Sequence, residues 1–213
     1  MAINQRNKCR LCRRAGEKLF LKGDRCGSPK CAMTKRPYAP GIHGAKSRNN
    51  RKGLTEYGKL LGQKQKVKRI YGVTEKQFRK HLAEAIKQTG IAGDNLISKL
   101  ESRLDNVVFR MNIAPSRAAA RNLVSHGHFQ VNGKNLNIPS AYIKVGDKIT
   151  VKKNKLEKNY FTDRQAVLKK ESSIPGWVLF DPSLMSGEMV SMPSRKEVNI
   201  SVDIQEVVEF YSR

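Results

Sequence analysis

Between Ile97 and Val151 a three-to-four-residue apolar spacing is interrupted at Pro115 and then gives way to alternation, and few folds accommodate that pattern. Ile97, Leu100, Leu104, Val107, Val108 and Met111 recur at intervals of three and four, which predicts one apolar helix face with Arg103 and Arg110 off the stripe. Pro115 ends the pattern, and Ser116 is a favourable N-cap for a second helix. On that helix Ala120, Leu123, Val124 and Gly127 share one face, while Arg117 and Arg121 share another. Gly127 suits a left-handed cap. Phe129 to Val131 and Leu136 to Ile138 then alternate around Asn132-Gly133, a hairpin signal. Val145-Gly146-Asp147-Lys148 turns the chain into a further strand, Ile149 to Val151. Two helices followed by a small antiparallel sheet make this an α+β module.

Its chemistry is directed at phosphate. Arg117 and Arg121, one helical turn apart, are expected to be exposed and to present guanidinium forks to a sugar-phosphate backbone. Arg103, Ser116, His126, Asn132 and Lys134 belong to the same expected surface, where Gly133 lets backbone amides approach. No set of Asn or Gln side chains is arranged to read bases. Recognition of RNA by shape and backbone is the expectation.

Charge supports a polyanionic partner. The chain carries 42 Lys and Arg against 18 Asp and Glu, net +24. Residues 1–80 hold 23 of the basic residues and only 4 acids, whereas residues 153–213 balance 9 against 9. The amino-terminal third is therefore the main electrostatic contact, and the tail is a packing or protein-contact element. No apolar run approaches the roughly 20 residues of a membrane span, and the start lacks a hydrophobic signal core, so a cytoplasmic protein with reduced thiols is expected.

All four cysteines lie in the first 31 residues, as Cys9-x2-Cys12 and Cys26-x4-Cys31. Two close pairs of thiolates can converge on one soft metal in a basic lobe that includes Arg10, Arg13 and Arg14. Zn²⁺ in a closed, structural site is the first expectation. A [4Fe-4S] cluster on the same four cysteines is the alternative, and two disulfides are a third reading.

Residues 33–53 have no periodicity, and Pro37, Pro40, Gly41 and Gly44 forbid a long helix. Lys35, Arg36, Tyr38, His43, Lys46, Arg48, Arg51 and Lys52 interleave charge with rings, as in an arm that orders along RNA grooves. A helix follows from about Thr55 to Tyr71, with Tyr57, Leu60, Leu61, Val67, Ile70 and Tyr71 inside. Lys64, Lys68 and Arg69 are among the cations expected on its outer side, and Gly72 stops it. Thr74 and Gln77 form a capping box for the next helix, with Val73 and Phe78 at the staple positions and Phe78, Leu82, Ala85 and Ile86 as its stripe. Asn154 to Ser173 has helical composition, and Trp177–Phe180 and Glu188–Met192 are expected short strands, split by turns at Asp181-Pro182 and Ser186-Gly187. A last helical turn is expected over Gln205 to Tyr211.

The run Ser116, Arg117, Ala120, Arg121, Leu123, Val124, His126, Gly127 and His128 resembles the signature of the small RNA-binding module of the ribosomal S-four family, in register. Arg36-Pro37-Tyr38 and Pro40-Gly41-x-His43-Gly44 resemble the family's arm, so the likeness covers essentially the whole chain. It implies three parts: a basic extension with the metal site over 1–53, a helical domain over 54–98 rejoined by the tail 174–213, and the inserted module over 99–173. It further implies a structural constituent of the small ribosomal subunit. Such a protein binds the 5′ domain of small-subunit rRNA as a primary rRNA-binding protein and nucleates assembly of the subunit body. Beside ribosomal protein S-five, near the channel by which mRNA enters, it influences translational accuracy.

Two other classes fit less of the chain. Arg103-Leu104-Asp105 resembles the catalytic triplet of pseudouridine synthases, which carry the same module, but no catalytic domain fits in the remaining chain, and a surface ion pair explains Arg103 and Asp105. A zinc-dependent DNA-binding factor would need a recognition helix with base-reading side chains.

Overall fold

A computed structural model describes residues 7–45, 55–168, 174–198 and 200–212. In chain order the helices up to the first strand are α1 (Lys8–Ala15), α2 (Asp24–Gly27), α3 (Ala32–Lys35), α4 (Glu56–Tyr71), α5 (Glu75–Ile86), α6 (Ala92–Glu101), α7 (Leu104–Arg110) and α8 (Arg117–Ser125). Strands β1 (Phe129–Val131), β2 (Lys134–Asn135) and β3 (Lys148–Val151) follow, then α9 (Lys153–Leu156) and α10 (Asn159–Leu168). Strands β4 (Val178–Asp181) and β5 (Ser186–Met189) precede the last helix, α11 (Ile204–Ser212). The chain divides into two units, residues 1–95 with 200–213, and residues 96–199.

The first unit is helical. Thr55 caps α4 by accepting from the Gly58 amide, and Gly72 ends it at φ 61°, its amide donating to the Lys68 carbonyl. Thr74 and Gln77 form the expected capping box at the start of α5. Val73 and Phe78 are both buried, and each such side chain contributes roughly 1.5–3 kcal/mol by leaving water. Leu60, Val67, Tyr71, Leu82 and Ala85 complete the inner stripes, and His81 packs among them. Tyr57 and Ile86 depart from expectation: both lie at stripe edges and are more than half exposed. Helix α11 returns here, with Ile204 and Val207 buried, Phe210 5.5 Å from the Tyr57 ring and Tyr211 6.0 Å from Phe78.

The second unit carries the sheet, in the order β2-β1-β3-β5-β4 with every pair antiparallel. Asn132 and Gly133 take φ 49° and 75°, as a two-residue hairpin turn requires, and pair Val131 with Lys134. The second strand of this hairpin is therefore Lys134–Asn135, not the expected Leu136 to Ile138. Leu104, Val107, Val108, Met111, Val124, Phe129, Ile149, Phe161 and Trp177 form one core. Gly187 is needed there, because a Cβ would stand 2.5 Å from the Met111 methyl and 3.0 Å from the Leu179 carbonyl.

Three expectations are corrected in this unit. The stripe from Ile97 to Met111 is buried throughout, yet it spans two helices. Arg103 is extended at φ −68°, ψ 139° and bridges to Tyr142. There Ile143 N donates to the Ser102 carbonyl and Leu104 N to that of Ala141, each over 2.8 Å, so the backbone pairs across the chain instead of continuing the helix. The helical stretch after Asn154 is likewise two helices, α9 and α10; residues 169–173 lie outside the described residues. Finally, residues 174–198 do not go with the helical unit: β5 pairs with β3 and β4 with β5, with Ser186 and Gly187 inside strand β5, and only the chain from Ile200 onward returns.

Candidate nucleic-acid interface

Two buried carboxylates organise the arginines of the second unit. Asp105, 3 % exposed in its side chain, receives the Arg103 guanidinium at both oxygens, Nε at 3.1 Å and Nη2 at 2.9 Å. Arg121 reaches the same carboxylate, its Nε 2.8 Å from Oδ2. Glu101 is wholly buried and is held in the same two-pronged way by Arg110, at 2.8 and 2.7 Å. Asn106 donates to the Glu101 carboxylate and accepts from Arg117 Nε at 2.6 Å, while Arg117 Nη2 lies 3.5 Å from Glu101. The Arg117 guanidinium also sits 4.5 Å above the Phe109 ring.

This corrects the reading of Arg117 and Arg121 as freely exposed: their side chains keep 18 % and 25 % exposure. It also turns Arg103 inward, where it makes a buried ion pair with Asp105 in place of a surface one. The physical reason is a matched register. Glu101 ends α6 and Asp105 lies in the first turn of α7, and the packing of α7 on α8 sets each acid beside an arginine sixteen positions on. That repeated offset is the signal in the sequence that marks these arginines as partners of acids.

The other expected contact residues differ in their settings. Arg10, Arg14, Lys35, Arg36, His43, His126, Asn132 and Lys134 are exposed. Arg13 donates to the Tyr38 carbonyl at 2.9 Å and lies 4.8 Å from its ring, so these two half-buried residues brace each other. Ser116 is buried as the cap of α8, and Asn132 is engaged with Asp147 and the Lys148 amide. Lys64, expected on the outer face, is instead buried on Glu75 at 3.1 Å and over Phe210 at 4.5 Å. Lys68 shares that carboxylate at 3.0 Å, and Arg69 is half-buried, its pKa lowered by burial and by the Arg14 charge. Lys46, Arg48, Arg51 and Lys52 lie outside the described residues.

One cluster was missed. His128 has its pKa lowered by burial and then by Lys158, Lys155, His126 and Lys152, so at least three lysines crowd this end of the module. The run Lys152-Lys153-Asn154-Lys155 was legible, but it reads as ordinary helix surface.

The four cysteines are free thiols, with Cys12, Cys26 and Cys31 buried and Cys9 partly so. The Cys12 thiol is pushed up by burial and by charge on Cys26, Cys9 and Cys31. The Lys22 amide donates to Cys26 Sγ at 3.3 Å. The donor set suits a soft or borderline cation, whose charge relieves repulsion between thiolates. Among the described residues, no three His, Cys, Asp or Glu side chains already stand as a ligand group.

Comparison with known proteins decides the family. The Ribosomal protein S4/S9 N-terminal domain matches residues 4–101, and the S4 domain matches residues 102–149. The chain belongs to the uS4 family of small ribosomal subunit proteins. It is 51 % identical over 205 residues to Small ribosomal subunit protein uS4 of Caldicellulosiruptor saccharolyticus, covering 96 % of each chain. The uS4 proteins of Caldicellulosiruptor bescii and Acetivibrio thermocellus are 50 % and 48 % identical over the same share. The uS4 family is structural and not enzymatic, and Asp105 agrees with that: both its oxygens are taken by arginines. No helix among the described residues is long and apolar enough to cross a membrane.

Proposed function

We propose that this chain is a structural constituent of the small subunit of the cytoplasmic ribosome and binds the 5′ domain of small-subunit rRNA directly. It nucleates assembly of the subunit body. Seated beside ribosomal protein S-five, near the channel by which mRNA enters, it contributes to translational accuracy. Family membership over nearly the whole chain carries this reading. Support comes from the excess of 42 basic over 18 acidic residues and from exposed cations on both units, Arg10, Arg14, Lys35 and Arg36 on one and Lys134 on the other. Arg110, Arg117 and Arg121, held on Glu101 and Asp105, add guanidinium edges fixed in place before RNA arrives.

Cys9, Cys12, Cys26 and Cys31 would hold Zn²⁺, or a [4Fe-4S] cluster on the same sulfurs. The metal supplies a crosslink that keeps the small basic lobe folded. The chain's own part is to bury three of the sulfurs and to give Cys26 an amide donor.

The test is sedimentation of the purified chain with small ribosomal subunits through a high-salt wash, followed by mapping of the rRNA bases it shields. Retention with protections confined to the 5′ domain supports the reading. Release in the wash, or protections elsewhere, contradicts it.

A further inference from the structure

In the second unit a ladder of lysines leads up to His128. From Lys152 onward the backbone bonds reach three residues back: Lys155 N donates to the Lys152 carbonyl at 2.9 Å, Lys158 N to that of Lys155 at 3.2 Å and Phe161 N to that of Lys158 at 2.8 Å. Side chains three apart on such a path fall on one side, so Lys152, Lys155 and Lys158 line up toward Phe161. Two histidines stand at the end of the ladder. His128 meets the Phe161 ring edge-on with 5.6 Å between centroids, and the His126 ring lies 6.3 Å from that of His128. Lys152 is fixed to the turn between them. Its amide donates to the His128 carbonyl at 3.0 Å, and its Nζ lies 3.8 Å from where a Cβ on Gly127 would stand.

The charges that bear on His128 come from each neighbouring element: His126 from the end of α8, Lys152 from the link after β3, Lys155 from α9 and Lys158 from the step into α10. Burial first, and then Lys158, Lys155, His126 and Lys152, hold the pKa of this imidazole below the ordinary histidine value. The free chain therefore keeps the ring neutral at a pH where a solvated histidine is partly charged. Its Nδ1 is buried without a hydrogen bond, whereas the residue as a whole is half-buried, which leaves Nε2 as the nitrogen that meets solvent. Anions resting on the lysines cancel the repulsion that keeps the ring uncharged, and the ring then binds a proton.

We propose that RNA binding by this chain is coupled to proton uptake at His128: phosphates that settle on Lys152, Lys155 and Lys158 charge the imidazole, which joins the contact through Nε2. A histidine whose pKa is higher in the complex than in the free chain strengthens binding as pH falls, by up to about tenfold per pH unit for one proton. The inference rests on the rRNA-binding reading above and adds its regulation by acidity.

The test uses the full chain with a 5′-domain rRNA transcript. Calorimetric titrations at about pH 6.5 in two buffers of different ionisation enthalpy count the protons bound, and affinities are compared at about pH 6 and about pH 8. Wild type should take up protons and bind about 3–10-fold tighter at the lower pH. His128→Gln should lose the uptake and most of the pH dependence. A second readout needs no RNA: in the free chain, Lys155→Gln with Lys158→Gln should raise the pH at which the His128 ring titrates by NMR. Equal proton uptake by wild type and His128→Gln would overturn the proposal, as would an unchanged His128 titration in the lysine variant. Wild-type binding with no proton uptake would overturn it and leave the parent reading intact, whereas absence of binding by the wild-type chain would overturn both.

Discussion

The Tyr211 hydroxyl donates to Glu75 Oε1 over 2.6 Å and so ties together residues 136 positions apart. Lys64 and Lys68 hold the same carboxylate, at 3.1 and 3.0 Å, and Lys64 lies over the Phe210 ring. One carboxylate thus fastens α11 to α4 and α5. Tyr211→Phe should destabilise the chain by about 1 kcal/mol and Glu75→Gln by about 1–2 kcal/mol, the latter limited by partial solvent exposure. Urea unfolding of the free protein measures both. Midpoints equal to wild type would remove Glu75 as the fastening point.

The same group sets a pH dependence. Burial alone would raise the Glu75 pKa, but hydrogen bonds from Tyr211, Lys68 and Lys64 outweigh that and pull it down to about 2. A depressed carboxylate stabilises the fold above its unfolded pKa of about 4.3 and loses that contribution as pH falls toward its folded value. The stability gap between wild type and Glu75→Gln should therefore be full at pH 6 and shrink between about pH 4 and pH 2. A gap that stays constant across that window would show that the charge is not involved.

Local punctuation was legible because single residues carry it. The Thr74 and Gln77 box, the Gly72 stop, the left-handed Gly127 and the Asn132-Gly133 turn stand where residue type alone places them. The break at Arg103 was not legible, since Ser102-Arg103-Leu104 holds no helix breaker and the cause is the distant Tyr142 segment. The burial of Lys64 and Arg103 escaped for a related reason. A cation looks like surface until the elements that cover it are placed: folding brings Glu75 to Lys64, and it buries the Arg103–Asp105 pair, whose members are only two residues apart in sequence. The sheet position of Val178–Asp181 and Ser186–Met189 is likewise a matter of long-range pairing.

Arg103→Ala should be far more damaging than a surface arginine change. It strips the two-pronged partner from a buried carboxylate and leaves Asp105 with Arg121, at a cost of about 3–5 kcal/mol. A combined Arg103→Met and Asp105→Leu variant should recover much of that loss. Thermal melts of Arg103→Met, Asp105→Leu and the double give the coupling. Additive losses would contradict a shared buried charge.

The cysteine lobe gives a chemical prediction. Protein purified under reducing conditions should carry stoichiometric zinc or iron. Chelation should expose all four thiols to alkylation and speed amide exchange over residues 8–35. Cys12→Ser should expose the remaining three thiols and speed the same exchange without chelator. A metal-free preparation with slow exchange in this region would mean that the lobe folds without a crosslink.

The most direct measurement is the salt dependence of affinity between the full chain and a 5′-domain rRNA transcript. Neutralising about 6–10 phosphates weakens binding by roughly 10³–10⁵-fold between 50 and 200 mM salt. A steep linear fall of log affinity with log salt is the expected result. An affinity that is flat over this range, or as strong for an unrelated RNA as for the transcript, would contradict a cationic protein built to clamp one folded rRNA domain.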